Sequence, residues 1–170
     1  NIYNDVSKHL VDGKIVGWFQ GGSEFGPRAL GNRSILCRPY PAQMKDYLNK
    51  RVKFREEFRP FAPAVLNEHR NEYFDINQDS PHMLIACKIK KNKIKTVPAI
   101  VHVDGTSRVQ SVKEEEFFGK ILVHTEGYGI PVLMNTSFNG PGEPIVETAE
   151  QAINFYLNSQ LDYLYIENFK

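Results

Sequence analysis

Short apolar runs, each closed off by turn residues, constrain this chain more than any other feature. Ile15-Val16-Gly17-Trp18-Phe19 stops at Gly21-Gly22, Ser34-Ile35-Leu36-Cys37 follows a Gly/Pro-rich loop, and Ile130 to Asn135 runs into another. Runs of this length are how strands buried on both faces read in sequence. Helical spacing appears between them. Ile2, Val6 and Leu10 recur every four residues before Gly13, which predicts a helix over residues 3–12. Pro41 suits the first turn of a helix carrying Met44, Tyr47, Leu48 and Val52 on one face. Ser111 with Glu114, and Thr148 with Gln151, fit capping boxes. The first precedes Phe117, Phe118, Ile121 and Leu122; the second precedes a stripe of Ala149, Ala152, Ile153, Tyr156 and Leu157.

Further strands are expected over Met83–Ile89, Val97–Val103, Arg108–Val112 and Leu161–Ile166, with a solvated lysine turn from Lys90 to Lys95. Pro60 and Pro63 limit Phe58–Leu66 to an edge or bulged strand, and residues 67–82 read as a surface excursion. No repeat and no long linker divides the chain. The expectation is a single α/β (α+β) domain over residues 1–170, a twisted mixed sheet flanked by helices.

Composition narrows the function classes. Twenty-one Lys and Arg against 20 Asp and Glu give a net charge of +1, which argues against a bulk electrostatic grip on nucleic acid or an anionic membrane. No apolar stretch approaches the roughly 20 residues of a membrane-crossing helix. Cys37 and Cys87 lie in apolar stretches without metal-ligand spacing, and with no secretion signal they read as buried reduced thiols of a cytoplasmic protein. Asn1 in place of an initiator Met suggests a piece of a longer protein.

Three segments look unlike packing. Gly21 to Ser34 places Arg28 and Arg33 among glycines directly after a strand. Glycines let backbone N–H groups approach an anion, and the guanidinium fork matches phosphate or carboxylate oxygens; the competing reading is a structural turn in which both arginines pair with Glu24 and other acids. Neither a Walker loop nor a dinucleotide fingerprint is present. Lys50 to Phe61 interleaves cations with Phe, as a phosphate site or as a solvated helix end neutralised by Glu56 and Glu57. Met134 to Glu143 leaves a strand as a small-polar loop in which Ser137 and Asn139 can share one side while Phe138 packs behind; ordinary turn chemistry uses the same residues. The histidines show no metal spacing, and Ser137 has no nucleophile-elbow context.

Residues 21–34, Val52–Pro63, His102–Gln110 and Asn135–Asn139 together resemble the C-terminal region of the O-carbamoyltransferase family, which includes nodulation-factor and antibiotic carbamoyltransferases. The resemblance implies a YrdC-like fold and an ATP-using domain. It would convert carbamoyl phosphate and ATP into carbamoyl adenylate, with Mg2+ alongside the nucleotide. It also implies a preceding TsaD-like partner domain, outside this chain, that holds iron or another metal and passes the carbamoyl group to a hydroxyl acceptor. The family's basic cluster carries over to Arg28, Lys53, Arg55 and Arg59, and its Ser-x-Asn signature to Ser137 and Asn139. Lys53 and Arg55 are then expected to hold carbamoyl and phosphate oxygens, Arg28 and Arg59 to neutralise the phosphates, and Ser137 and Asn139 to bind the nucleotide with Arg33 and Thr136 beside them. The alternatives are an RNA-binding module, which has no RNP-type aromatic pattern here, and a non-catalytic interaction domain.

Overall fold

The computed structural model describes residues 1–170. In chain order the elements are α1 (Ile2–Val11), β1 (Val16–Phe19), β2 (Arg33–Cys37), α2 (Met44–Leu48) and a π-helical turn (Asn49–Lys53). Then come β3 (Ala62–Leu66), α3 (Arg70–Tyr73), β4 (Ile85–Lys88), a 3-10 turn (Pro98–Ile100) and β5 (Thr106–Val112). The chain ends with α4 (Phe117–Glu126), β6 (Val132–Ser137), α5 (Ala149–Leu157) and β7 (Tyr163–Ile166). All strands join one seven-stranded sheet in the order β4-β5-β3-β6-β2-β1-β7. The sheet is mixed, with β1–β7 and β3–β5 parallel and the remaining neighbours antiparallel.

Alternation along the central strands sorts the core into two layers. Val16, Trp18, Leu36, Ala64, Leu66 and Leu133 pack under α1 and α4, while Ile35, Cys37, Val65, Val132 and Met134 pack on the opposite side with α2 and α5. Both faces are covered, which is why these strands read as continuous apolar runs. Cys37 and Cys87 are free and buried, and burial raises both thiol pKa values.

Several expectations shift. Ala62–Leu66 is a central strand and not an edge one. The β5 ladder begins at Ala64, one residue after Pro63, so the missing N–H is not called on there. Val97–Val103 contains no strand, because Pro98 opens the 3-10 turn. Ser111 caps nothing: it pairs with Val65 inside β5, its Oγ accepts from the Ser80 amide at 2.7 Å, and α4 starts after Glu116. The Thr148–Gln151 capping box is present. In the α5 stripe only Ala152 is buried, and Leu157 is 74% exposed.

Register fixes where loops converge. Ser34 lies opposite Ser137, Phe19 opposite Arg33, and Ala62 opposite Asn135. The ends of β1 and β6 and the starts of β2 and β3 therefore share one edge of the sheet.

Candidate functional site

At that edge a cavity of about 620 Å³ is lined by Arg28, Lys53, Arg55, Arg59, Arg108, Ser137 and Asn139, with the Gly140-Pro141-Gly142 turn. The only carboxylate in the lining belongs to Glu56, which meets Arg59 at 3.8 Å as an exposed pair. Such a pair contributes little, so the cavity keeps a strong positive field.

Lys53 is the centre of this arrangement. The α2 helix passes into the π-helical turn, which ends where Phe54 takes a left-handed backbone at φ 45°. A π turn of this kind re-aims side chains within a continuous helix. Lys53 is 5% exposed, and the three N–H groups of its Nζ are shared among Asn139 Oδ1 at 2.7 Å, the Ser137 and Asn139 carbonyls at 2.9 Å each, and Ser137 Oγ at 3.4 Å. Burial, and after it the charges of Arg55 and Arg59, push its pKa down to about 7. Phe138 is fully buried behind the Ser137–Asn139 pair, as the alternation predicts.

The guanidiniums are held by backbone and amide groups. Arg55 Nε donates to Asn49 Oδ1 at 2.7 Å, and its guanidinium lies over the Phe61 ring at 4.6 Å. Asn49 is fully buried and its Nδ2 also donates to the Arg59 carbonyl at 3.2 Å, so one side chain shapes the loop that carries both arginines. Arg28 is aimed from a loop pinned to the sheet, where Gln110 Nε2 donates to the Leu30 carbonyl at 2.7 Å and Asn135 Nδ2 to the Ala29 carbonyl at 3.1 Å. Arg108 projects from β5 beside Arg28. Burial, and then the charge of Arg28, lower its pKa, although a guanidinium stays protonated.

The Gly-rich loop works differently from expectation. At its C-terminal end the backbone N–H groups are spent inside the protein: Glu24 Oε1 accepts from Leu30 at 2.6 Å, Asn32 at 2.8 Å and Arg33 at 3.2 Å. Glu24 thus pairs with backbone and not with Arg28.

The structure brings Arg28, Lys53, Arg55, Arg59, Ser137 and Asn139 together around this cavity. Thr136 lines a small recess of about 90 Å³ that shares Arg28, Arg55, Arg108 and Ser137 with it. Arg33 lies apart: it is 3% exposed, stacks on Phe19 at 3.5 Å and donates to the Gln20 carbonyl at 3.0 Å. Arg108 and Asn49 were not singled out from the sequence. An Arg with no acidic neighbour inside a strand pattern is a signal for the first, whereas nothing local marks the second.

The profile of the family described as "Carbamoyltransferase C-terminus" matches residues 7–170. The chain belongs to this family. Among relatives of this carbamoyltransferase C-terminal domain, the nodulation protein NolNO of Sinorhizobium fredii is 41% identical over 99% of the chain and 26% of its own length. The 3'-hydroxymethylcephem-O-carbamoyltransferase of Streptomyces clavuligerus is 36% identical over 88% of the chain and 29% of its own length. The domain thus spans between a quarter and a third of these curated relatives. Full-length HypF in its phosphate- and nucleotide-bound form superposes with a TM-score of 0.68 at 19% identity, covering 98% of this chain and 25% of that one. The fold is YrdC-like, as the sequence resemblance implies. No helix is long and apolar enough to cross a membrane.

Proposed function

We propose that this domain activates carbamoyl phosphate with ATP to form carbamoyl adenylate, which serves O-carbamoyl transfer to a hydroxyl acceptor at a preceding TsaD-like domain. One observation carries the reading: Arg28, Lys53, Arg55, Arg59 and Arg108 converge on a single cavity that holds one carboxylate, Glu56, against five cations. Two polyanions must be brought together for this reaction, and fixed cations aimed at their oxygens stabilise the added charge without reorganising.

Water cleaves carbamoyl phosphate to carbamate and inorganic phosphate. A carbamate oxygen then attacks the α-phosphorus of ATP, and the bond to pyrophosphate breaks. No protein nucleophile is needed. Lys53 and Arg55 hold the carbamoyl and phosphate oxygens, Arg28, Arg59 and Arg108 neutralise the phosphates, and Ser137 and Asn139 hydrogen-bond the nucleotide. The recess lined by Thr136 is of a size for the carbamoyl end. With Glu56 the one carboxylate in the lining, the walls supply no carboxylate ligand set for Mg2+, so magnesium would enter on the nucleotide's own phosphates.

A track of cations along an open surface would suit RNA better than this confined cluster does. The test is pyrophosphate release from ATP by the chain. It should require carbamoyl phosphate and be lost in Lys53→Ala. No release from folded protein, or release indifferent to carbamoyl phosphate, overturns the proposal.

A further inference from the structure

At the end of β3 opposite the cation cradle, the fold builds a cluster that no spacing in the sequence announces. Glu68 and His69 sit in the turn that follows β3, and Glu126 is the last residue of α4. Each offers one ligand atom, and these three atoms lie within 4.8 Å of one another. We propose that Glu68, His69 and Glu126 form a zinc site that ties this turn to the end of α4. The inference is independent of the ATP-using reading.

The histidine carries the argument. Its Nε2 lies 2.7 Å from Glu126 Oε1, and its Nδ1 lies 3.4 Å from Glu72 Oε2. A metal-ligating imidazole has this pattern: one nitrogen faces the ligand set, and the other gives its N–H to a carboxylate that fixes tautomer and ring. Glu72 is itself anchored by Lys93. The backbone holds the group together, since the His69 amide donates to the Leu66 carbonyl at 3.0 Å and the Glu72 amide to the His69 carbonyl at 2.9 Å. The His69 side chain is 24% exposed, so an ion can enter from solution.

Charge points the same way. Glu68, Glu72 and Glu126 bring three negative charges and Lys93 returns one, while Arg70 is turned to Asp79 at 3.2 Å. With the imidazole neutral, the form that binds metal, the deficit is the charge of a divalent cation. Glu126 also stands at the C-terminus of α4, where the helix dipole disfavours an anion that has no cation beside it. A separate sign lies in the same turn: Asn67 Oδ1 is closed off from solvent and has no hydrogen-bond partner, an acceptor that a cation beside it would satisfy. One imidazole nitrogen with carboxylate oxygens is a zinc donor set, whereas calcium and magnesium take shells of oxygen. Zn–N and Zn–O bonds of about 2.0–2.2 Å require the His69–Glu126 contact to widen to roughly 3.3 Å as the ion replaces the hydrogen between them.

Calorimetry on the metal-free chain with zinc chloride, beside melting curves, tests the site. Zn2+ should bind with micromolar affinity or better, and the melting temperature should climb with its concentration. Co2+ should give the visible absorption of a four-coordinate centre. His69→Gln and Glu126→Gln should each weaken Zn2+ at least tenfold, roughly the loss seen when a metal shell is broken, whereas His124→Gln, outside the cluster, should change nothing. Zn2+ affinity no better than about 1 mM overturns the proposal and leaves an ion pair at the surface. So does Zn2+ binding that survives both variants, which places the metal elsewhere. Ca2+ or Mg2+ binding as tightly as Zn2+ also overturns it, because the histidine is then not a ligand.

Discussion

Lys53 Nζ donates to Asn139 Oδ1 at 2.7 Å, tying the end of a π-helical turn to the loop that leaves β6. The ammonium is held by neutral oxygens, and burial, followed by the charges of Arg55 and Arg59, pushes its pKa from 10.5 down to about 7. The unfolded chain therefore binds the proton more tightly than the folded one. Between about pH 7 and pH 10.5 stability should rise with pH through this group, and below pH 7 the full penalty of charging it applies. Bound phosphate favours the charged form, so ATP binding should take up a proton, and affinity should fall as pH climbs above about 7. Calorimetry in buffers of different ionisation enthalpy reads the proton directly. In Lys53→Met both the uptake and the pH-dependent gain in stability should vanish.

Much of this was legible because the signals are local. Ser137, Phe138 and Asn139 alternate within one segment, and period alone places the Phe behind and the polar pair in front. What failed depended on distant partners. Arg33 looked like a ligand among glycines, yet its guanidinium finds the Phe19 ring one strand away. Pro63 argued for an edge, but the ladder on the β5 side begins only after it. Ser111 and Glu114 have the spacing of a cap, whereas strand pairing with Val65 places Ser111 in the sheet. Arg108 reads as an ordinary strand residue until folding sets it beside Arg28.

Arg28 and Arg108 repel each other, and neither forms an ion pair, since the cavity's one carboxylate, Glu56, meets Arg59. Removing one charge should therefore cost little stability, within about 0.5 kcal/mol, or slightly raise it. A charge-assisted hydrogen bond to phosphate is worth about 1.5–3 kcal/mol, so Arg108→Ala or Arg28→Ala should weaken tripolyphosphate binding by roughly ten- to a hundredfold. Melting curves and titrations on the same samples separate the effects. A loss of stability as large as the loss of binding would make these arginines structural.

Asn49 makes the opposite prediction. It is fully buried and serves Arg55 Nε and the Arg59 carbonyl at once, so Asn49→Ala orphans a charged donor and a backbone acceptor. Urea unfolding should show a loss of about 2–4 kcal/mol. Anion affinity should fall as well, since both arginines lose their shared anchor, although Asn49 lies outside the cavity lining.

Gly31 positions the other wall. At φ +119° its backbone lies where side chains are strained, and a Cβ there would sit 2.7 Å from the Phe118 Cβ on α4. The same turn carries the Leu30 carbonyl that Gln110 holds, so any shift moves the segment leading back to Arg28. Gly31→Ala should cost about 3 kcal/mol from strain and overpacking together. Shortening the obstacle tests the cause: Phe118→Leu leaves its own cavity penalty, but in combination with Gly31→Ala the losses should add fully. The clash is with Phe118 Cβ at 2.7 Å, Cδ1 at 2.8 Å and Cγ at 3.0 Å, atoms that all have counterparts in Leu, and only backbone movement relieves it. Chemical denaturation of the single and double variants reads the coupling directly, and a double variant more stable than Gly31→Ala alone would place the strain in the ring instead.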